Sequence, residues 1–267
     1  MNDLVFYNVC TLQNNIFSGL FVGQNLVTLK QVDSTNNYLK KILSNSEPLP
    51  EGTVIMAEEQ YAGRGQYKNG WFAEKGNNLT ISILLKPLFL PLNDQFQLTQ
   101  VVSIATVKAL KQTSGLSYQI KWPNDIYYGE KKLGGILIEN SVQGKRINNS
   151  VIGIGLNVNQ PQFPENLPRA VSLKQILQRD YDLKAVLSEI CRHIEAWYLK
   201  LKAGKTDEIN IAYLDRLLGL NEERRYRSEE ETYRGVIKGV DHSGLLEIQT
   251  NGIIKKYNLK EVEFLFD

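Results

Sequence analysis

Histidine and cysteine are almost absent from this 267-residue chain, which has only His193, His242, Cys10 and Cys191. No C-x-x-C pair occurs, so a disulfide scaffold and a cysteine-built zinc site are both excluded. Two histidines supply no His-rich metal centre and weaken any Ser-His-Asp or Cys-His nucleophile. Long hydrophobic runs are missing as well. The most apolar stretch, Leu79 to Leu92, is broken by Lys86, Pro87 and Pro91. That leaves no segment of the roughly 18 apolar residues a membrane span needs. The opening Met1-Asn2-Asp3 lacks the cationic start of a leader. An excess of either charge is lacking too, because 31 Lys+Arg face 29 Asp+Glu for a net charge of +2. No global basic field draws in nucleic acid. These absences point to a soluble, cytoplasmic protein whose core is large enough to need no covalent staple.

Hydrophobic periodicity organises what is there. The first 24 residues carry short apolar patches, Leu4 to Tyr7 and Ile16 to Val22, with no clear period. Strands are predicted over 25–31, 53–58, 79–86, 117–121, 133–139 and 151–158. Helices are predicted after Ser34, over 95–111, over 183–202 and over 207–218. After Gly219 the pattern changes to short strands at 224–228, 232–240, 245–250, 253–258 and 262–266. Asn251-Gly252 between two of them is a strong hairpin signal, because both residues tolerate positive φ. The reading is α+β, a mixed sheet flanked by helices with a β-barrel-like appendage. It divides into domains 1–219 and 220–267.

Eleven of the 20 glycines lie between Gly63 and Gly155, beside charged residues. In Gln60-Tyr61-Ala62-Gly63-Arg64-Gly65-Gln66, followed by Trp71, the glycines let backbone approach a ligand and Arg64 offers its fork to an anion. A mobile surface loop is the plainer alternative. Lys121-Trp122-Pro123-Asn124-Asp125 ends a strand in a turn, and Asn124 and Asp125 supply oxygens for a lysine or a hydrated magnesium ion. Lys131-Lys132-Leu133-Gly134-Gly135 leaves the Lys132 ammonium little shielded, although adjacent lysines are commonly just an exposed hairpin pair. Gly153-Ile154-Gly155-Leu156-Asn157 lacks the third glycine of a dinucleotide fingerprint, and suits a strand packed closely on a ligand or on a helix. Asp33-Ser34-Thr35-Asn36 starts a helix, where capping is the commoner use of a hydroxyl and a polar ligand the alternative. His193 reads as structural, and Glu222 to Arg234 as a solvated face of alternating sign.

In this order the segments resemble a biotin protein ligase. The matching pieces are Ser34-Thr35-Asn36, Gln60 with Ala62-Gly63-Arg64-Gly65, Trp71, Asn78-Leu79 and Lys121-Trp122-Pro123-Asn124-Asp125. They continue with Lys132-Leu133-Gly134-Gly135-Ile136, Gly153 to Asn157 and Ala170-Val171-Ser172-Leu173. The resemblance implies a fold shared with lipoate ligases and class II aminoacyl-tRNA synthetases, ending in an SH3-like domain. It implies ATP and Mg²⁺ as reaction partners, biotin as substrate and a biotin carboxyl carrier domain of a carboxylase as acceptor. Its implied catalytic residues are Lys132, Arg64, Lys121 and Asp125. Its implied biotin contacts are Ser34, Thr35, Asn36, Gln60, Gly63, Arg64, Gly65, Gln66, Trp71, Lys132, Gly134 and Gly135. The adenylate falls to Arg64, Lys121, Asn124, Lys132 and Asn157, with Asn157 the candidate to touch Mg²⁺.

Gln66, Tyr67 and Asn69 stand where many relatives carry further basic residues. Only 33 residues precede Ser34, which is short for the winged helix-turn-helix of regulatory members. A monofunctional enzyme with no specific nucleic-acid target, monomeric or homodimeric, is therefore expected. The rival readings are a lipoate or octanoate ligase or transferase on the same fold, and a non-catalytic adenylate-binding regulator.

Overall fold

The computed structural model describes residues 18–44, 48–66, 69–229 and 231–266. The Leu4 to Tyr7 patch, Cys10, Tyr67 and Lys68 lie outside these. Two sheets carry the chain. Seven strands build the first: β1 (Leu26–Leu29), β2 (Val54–Ala57), β3 (Leu79–Leu85), β4 (Gln119–Lys121), β5 (Asp125–Tyr128), β6 (Lys131–Gln143) and β7 (Arg146–Leu156). Their order is β1-β2-β3-β7-β6-β5-β4, with β1 and β2 parallel and the other pairs antiparallel.

Strand alternation assigns the two faces. Val54 and Met56 join the main core while Ile55 and Ala57 join a smaller one under helix α1 (Thr35–Leu43). The main core is closed by α2 (Phe96–Ser114) and α4 (Leu183–Lys202), with the short α3 (Leu173–Leu177) between them in sequence and α5 (Thr206–Leu214) following. The α4 stripe Val186, Leu187, Ile190, Ile194, Trp197 and Leu201 is buried, at about 1.5–3 kcal/mol for each large side chain. No helix among the described residues is long and apolar enough to cross a membrane.

The second sheet holds β8 (Glu223–Ser228), β9 (Glu231–Val240), β10 (Leu246–Thr250), β11 (Ile253–Tyr257) and β12 (Glu263–Leu265) in the order β11-β10-β9-β8-β12. Asn251 and Gly252 turn the β10–β11 hairpin with φ of 49° and 80°. The end strands β11 and β12 are not paired with each other among the described residues, so the SH3-like barrel is open.

Five elements differ from expectation. Strand β5 was not foreseen, because the turn residues before it hid a four-residue Asp-Ile-Tyr-Tyr strand. Strands β6 and β7 run several residues further, meeting at Gly144 with φ 62°, because ladder bonds tolerate the polar Asn140, Ser141, Asn148 and Asn149. Helix α5 stops at Leu214, since Leu218 N–H donates to the Ile120 carbonyl and Ile120 N–H to that of Arg216. The unforeseen α3 carries a complete capping box, Ser172 with Gln175.

Candidate active site

A cavity of about 140 Å³ opens between the start of α1, the inner stretches of β6 and β7 and the glycine loop after Gln60. Ser34, Thr35, Asn36, Gln60, Trp71 and Lys132 line it, with Gly65, Gln66 and Gly135. Ser34 occupies the N-cap but makes no capping hydrogen bond. Gln60 does that work: its Oε1 accepts from Thr35 N–H at 2.7 Å and from the Thr35 hydroxyl at 3.0 Å. The capping role considered for these hydroxyls is thereby corrected, and the Ser34 side chain is buried on the cavity wall. Ser82 Oγ lies 2.7 Å from Thr35 Oγ1 and contacts Asn36 Oδ1.

The floor is made of glycine for a steric reason. A Cβ on Gly153 would meet Asn36 Oδ1 at 2.6 Å, and one on Gly155 would meet the Trp71 indole at 2.3 Å. Only glycine lets the α1 amide and the indole lie on β7. Gly63 and Gly134 do not line the cavity. Their substituents would strike the Trp71 carbonyl and Leu156, so they serve the loop and the strand packing.

A second cavity, of about 310 Å³, adjoins the first. It is lined by Phe72, Tyr127, Asn157, Phe163 and Arg169 among others, and shares Gly70, Trp71 and Lys132 with the first. Lys132 Nζ forms an ion pair with Asp125 Oδ1 at 2.7 Å. Among the described residues, two buried polar atoms lack a protein partner here, Trp71 Nε1 where the cavities meet and Asn157 Oδ1 in the second. One is a donor and the other an acceptor, the complement a polar ligand would supply.

Three expected residues sit differently. Lys121 lines neither cavity; its ammonium lies over the Phe264 ring at 4.7 Å and near Tyr127 at 5.9 Å. Burial lowers its pKa, partly offset by the nearby Asp125. It faces instead a cleft between Gln66 and Asn69 of the glycine loop and the last strands of the chain. Asn124 is buried and its amide donates to the Ile136 carbonyl, pinning the turn to β6. Arg64 does not point freely at an anion. It pairs with Glu139 at 3.0 Å and donates to Asn37 Oδ1 at 2.8 Å.

Glu139 was not foreseen. It also takes Lys40 at 2.7 Å and the Asn36 amide at 2.9 Å. Burial alone would raise its pKa, but the hydrogen bonds from Lys40 and Asn36, the Lys40 charge and Arg64 outweigh it and hold the carboxyl below the ordinary glutamate value. The signal was period-2 alternation: Gly135, Leu137 and Glu139 lie on one face of β6, and the first two line the cavity. His193 sits in α4 beside Arg192 and Glu189, and burial lowers its pKa. The Cys191 thiol is pushed up by burial and is inert. Among the described residues no cluster of three His, Cys, Asp or Glu could cage a metal.

Two cavities that meet at Gly70, Trp71 and Lys132, under a glycine loop and on a mixed sheet, can bring two ligands to a common cation. Residues 28–157 match the biotin/lipoate A/B protein ligase family. The chain is 33% identical over 245 residues to the bifunctional ligase/repressor BirA of Bacillus subtilis (strain 168), covering 91% of this chain and 74% of that protein. It is 30% identical over 224 residues to the biotin–[acetyl-CoA-carboxylase] ligase of Paracoccus denitrificans, covering 82% and 91% of the two. The biotin protein ligase from Aquifex aeolicus in complex with biotin and ATP superposes with a TM-score of 0.77 at 31% identity, over 91% of this chain and all of that one. The chain belongs to the biotin/lipoate A/B protein ligase family.

Proposed function

We propose that this protein is a biotin protein ligase. It activates biotin with ATP as biotinyl-5′-AMP and passes the biotinyl group to one lysine of a biotin carboxyl carrier domain of a carboxylase. A single observation carries the reading: the two cavities share Lys132. Adenylation joins a carboxylate to an α-phosphate, so two anions must meet, and a fixed cation at the meeting point favours the charge that develops there.

In this reading the polar ureido head of biotin lies against Ser34, Thr35 and Gln60, with its ring system on Trp71 and the glycine floor. Its carboxylate oxygen attacks the α-phosphorus and pyrophosphate leaves. The carrier lysine amine then attacks the acyl carbon, loses a proton, and AMP departs. Lys132 holds both anions, with Asp125 orienting its ammonium. The nucleotide occupies the second cavity beside Phe72 and Arg169. No protein nucleophile is needed, in keeping with the shortage of histidine and cysteine.

Magnesium usually binds through substrate phosphates and one or two protein oxygens, and the unpartnered Asn157 Oδ1 fits such a contact. When bound it would neutralise phosphate charge. Residues 1–219 form the catalytic domain in this account and 220–267 an SH3-like module. The enzyme works in the cytoplasm, as a monomer or homodimer, without a specific DNA target.

The test is to incubate the protein with ATP, Mg²⁺ and either biotin or lipoate, and to detect acyl-AMP by mass spectrometry. Biotinyl-AMP without lipoyl-AMP supports the reading. Lipoyl-AMP alone would move the enzyme to the lipoate branch of the family.

A further inference from the structure

Glu139 gathers more of the site than any other side chain outside the two cavities. Its Oε1 meets Lys40 at 2.7 Å and Arg64 at 3.0 Å, and its Oε2 meets the Asn36 amide at 2.9 Å and Arg64 at 3.1 Å. Arg64 therefore presents both terminal nitrogens to one carboxylate, the fork-to-fork arrangement that fixes orientation as well as charge. The guanidinium reaches in from the glycine loop, where an isolated bridge joins Arg64 to Gly70. Asn36 leads the other way. Its Oδ1 contacts Ser82, Ser82 contacts Thr35, and Thr35 donates to Gln60. One unbroken polar chain thus runs from the floor of the first cavity to the loop above it, and Glu139 is its joint.

We infer that Glu139 is a positioning residue that, by gripping Arg64, pins the glycine loop over the first cavity and sets how long the acyl-adenylate stays bound. The inference rests on the proposed ligase reading. Three observations favour a loop pin over a simple surface ion pair. Glu139 has only 22% of its side chain exposed, whereas Arg64 has 38%. The carboxylate is held from the rigid side by Asn36 and Lys40 before the loop reaches it. Past Gln60, the loop's described side-chain bonds run through Arg64, to Glu139 and to Asn37 Oδ1 at 2.8 Å, and the rest are backbone contacts such as Gly65 N–H to Asn69 O and Trp71 N–H to Gly63 O. Ordering glycine-rich backbone costs conformational entropy, so one bidentate anchor shifts the open–closed balance. Lys40 is the control. It touches the same carboxylate but belongs to α1, so its loss should leave Arg64 in place.

The experiment uses the whole protein in six forms: wild type, Glu139→Gln, Glu139→Asp, Lys40→Met, and Arg64→Gly with and without Glu139→Gln. Two quantities are read. One is the dissociation half-life of biotinyl-AMP formed in place. The other is the rate of chymotryptic cleavage in the ligand-free protein at Tyr61, 66% exposed at the start of the loop, a readout that needs no catalysis. Glu139→Gln should shorten the half-life about tenfold and speed cleavage by a similar factor, the size of one charge-assisted contact discounted for partial exposure. Glu139→Asp should recover most of both, and Lys40→Met should match wild type. Arg64→Gly should leak as fast as the double variant, because Glu139 acts only through Arg64.

Wild-type half-life and cleavage in Glu139→Gln would overturn the inference. So would losses that multiply in the double variant, or a Lys40→Met loss equal to that of Glu139→Gln. A failure of the ligase reading looks different. Wild type would form no biotinyl-AMP, while the cleavage comparison would still decide whether Glu139 holds the loop.

Discussion

Lys121 and Lys132 look alike in the sequence, each a lysine in a compact motif with aspartate or glycine close by, and they share a neighbour in Asp125. Their surroundings diverge. Asp125 lies opposite Lys121 in the β4–β5 ladder, yet its carboxylate is given to Lys132 at 2.7 Å. Lys132 stands where two cavities meet, with a third of its side chain exposed. Lys121 is covered by Phe264, a residue 143 positions later in the chain, and faces a different cleft. The difference teaches that what sets Lys132 apart as the proposed reaction centre is the open space on its ammonium. Proximity to the motif is insufficient.

The comparison is broken most severely at Lys132. Lys132→Met keeps the length and removes the charge, and should lower the rate of biotinyl-AMP formation by about 10²–10³. Circular dichroism and a thermal melt should remain those of wild type. Asp125→Asn keeps the turn but loosens the ammonium, and should cost about tenfold in the same single-turnover assay, through positioning. Arg64→Gly should leave ATP binding nearly intact while biotinyl-AMP escapes, read as biotin on bystander serum albumin.

Lys121→Met should act mainly on stability, by about 1 kcal/mol for a lost cation–π contact, with a smaller effect on adenylation. Its pH signature sharpens the contrast. Burial lowers the Lys121 pKa, so between that lowered value and the ordinary value of about 10.4 the unfolded chain binds more protons than the folded one. Stability then rises with pH across that window through this group. Denaturant midpoints measured at about pH 8 and about pH 10 should show this gain in wild type and lose it in Lys121→Met.

Much of the fold was legible because hydrophobic periodicity is local. The α4 stripe and the buried β3 run Leu-Thr-Ile-Ser-Ile-Leu-Leu declare themselves within a few turns or residues. The short β5 and the capping-box helix α3 were passed over because four and five residues are too few for a periodic signal, and β5 follows directly on turn residues. The site was legible where glycine and lysine cluster, since close approach of backbone and charge leaves a compositional trace. It was illegible where the partner comes from afar. Nothing near Lys121 announces Phe264. Nothing near Arg64 announces Glu139, which lies 75 positions on and shows only as an acid on the cavity-facing side of an apolar strand. Ser34 misled in the opposite sense, because a capping hydroxyl was the usual reading until Gln60 was found in that role.

A crystal structure of this protein with a non-hydrolysable biotinyl-AMP analogue tests the central claim most directly. The account places the biotin rings beside Thr35 and Trp71, and the adenosine beside Phe72 and Arg169. Lys132 Nζ should then lie within about 3.2 Å of both the acyl oxygen and the phosphate. An analogue whose phosphate instead lay against Lys121, or which left either cavity empty, would contradict it.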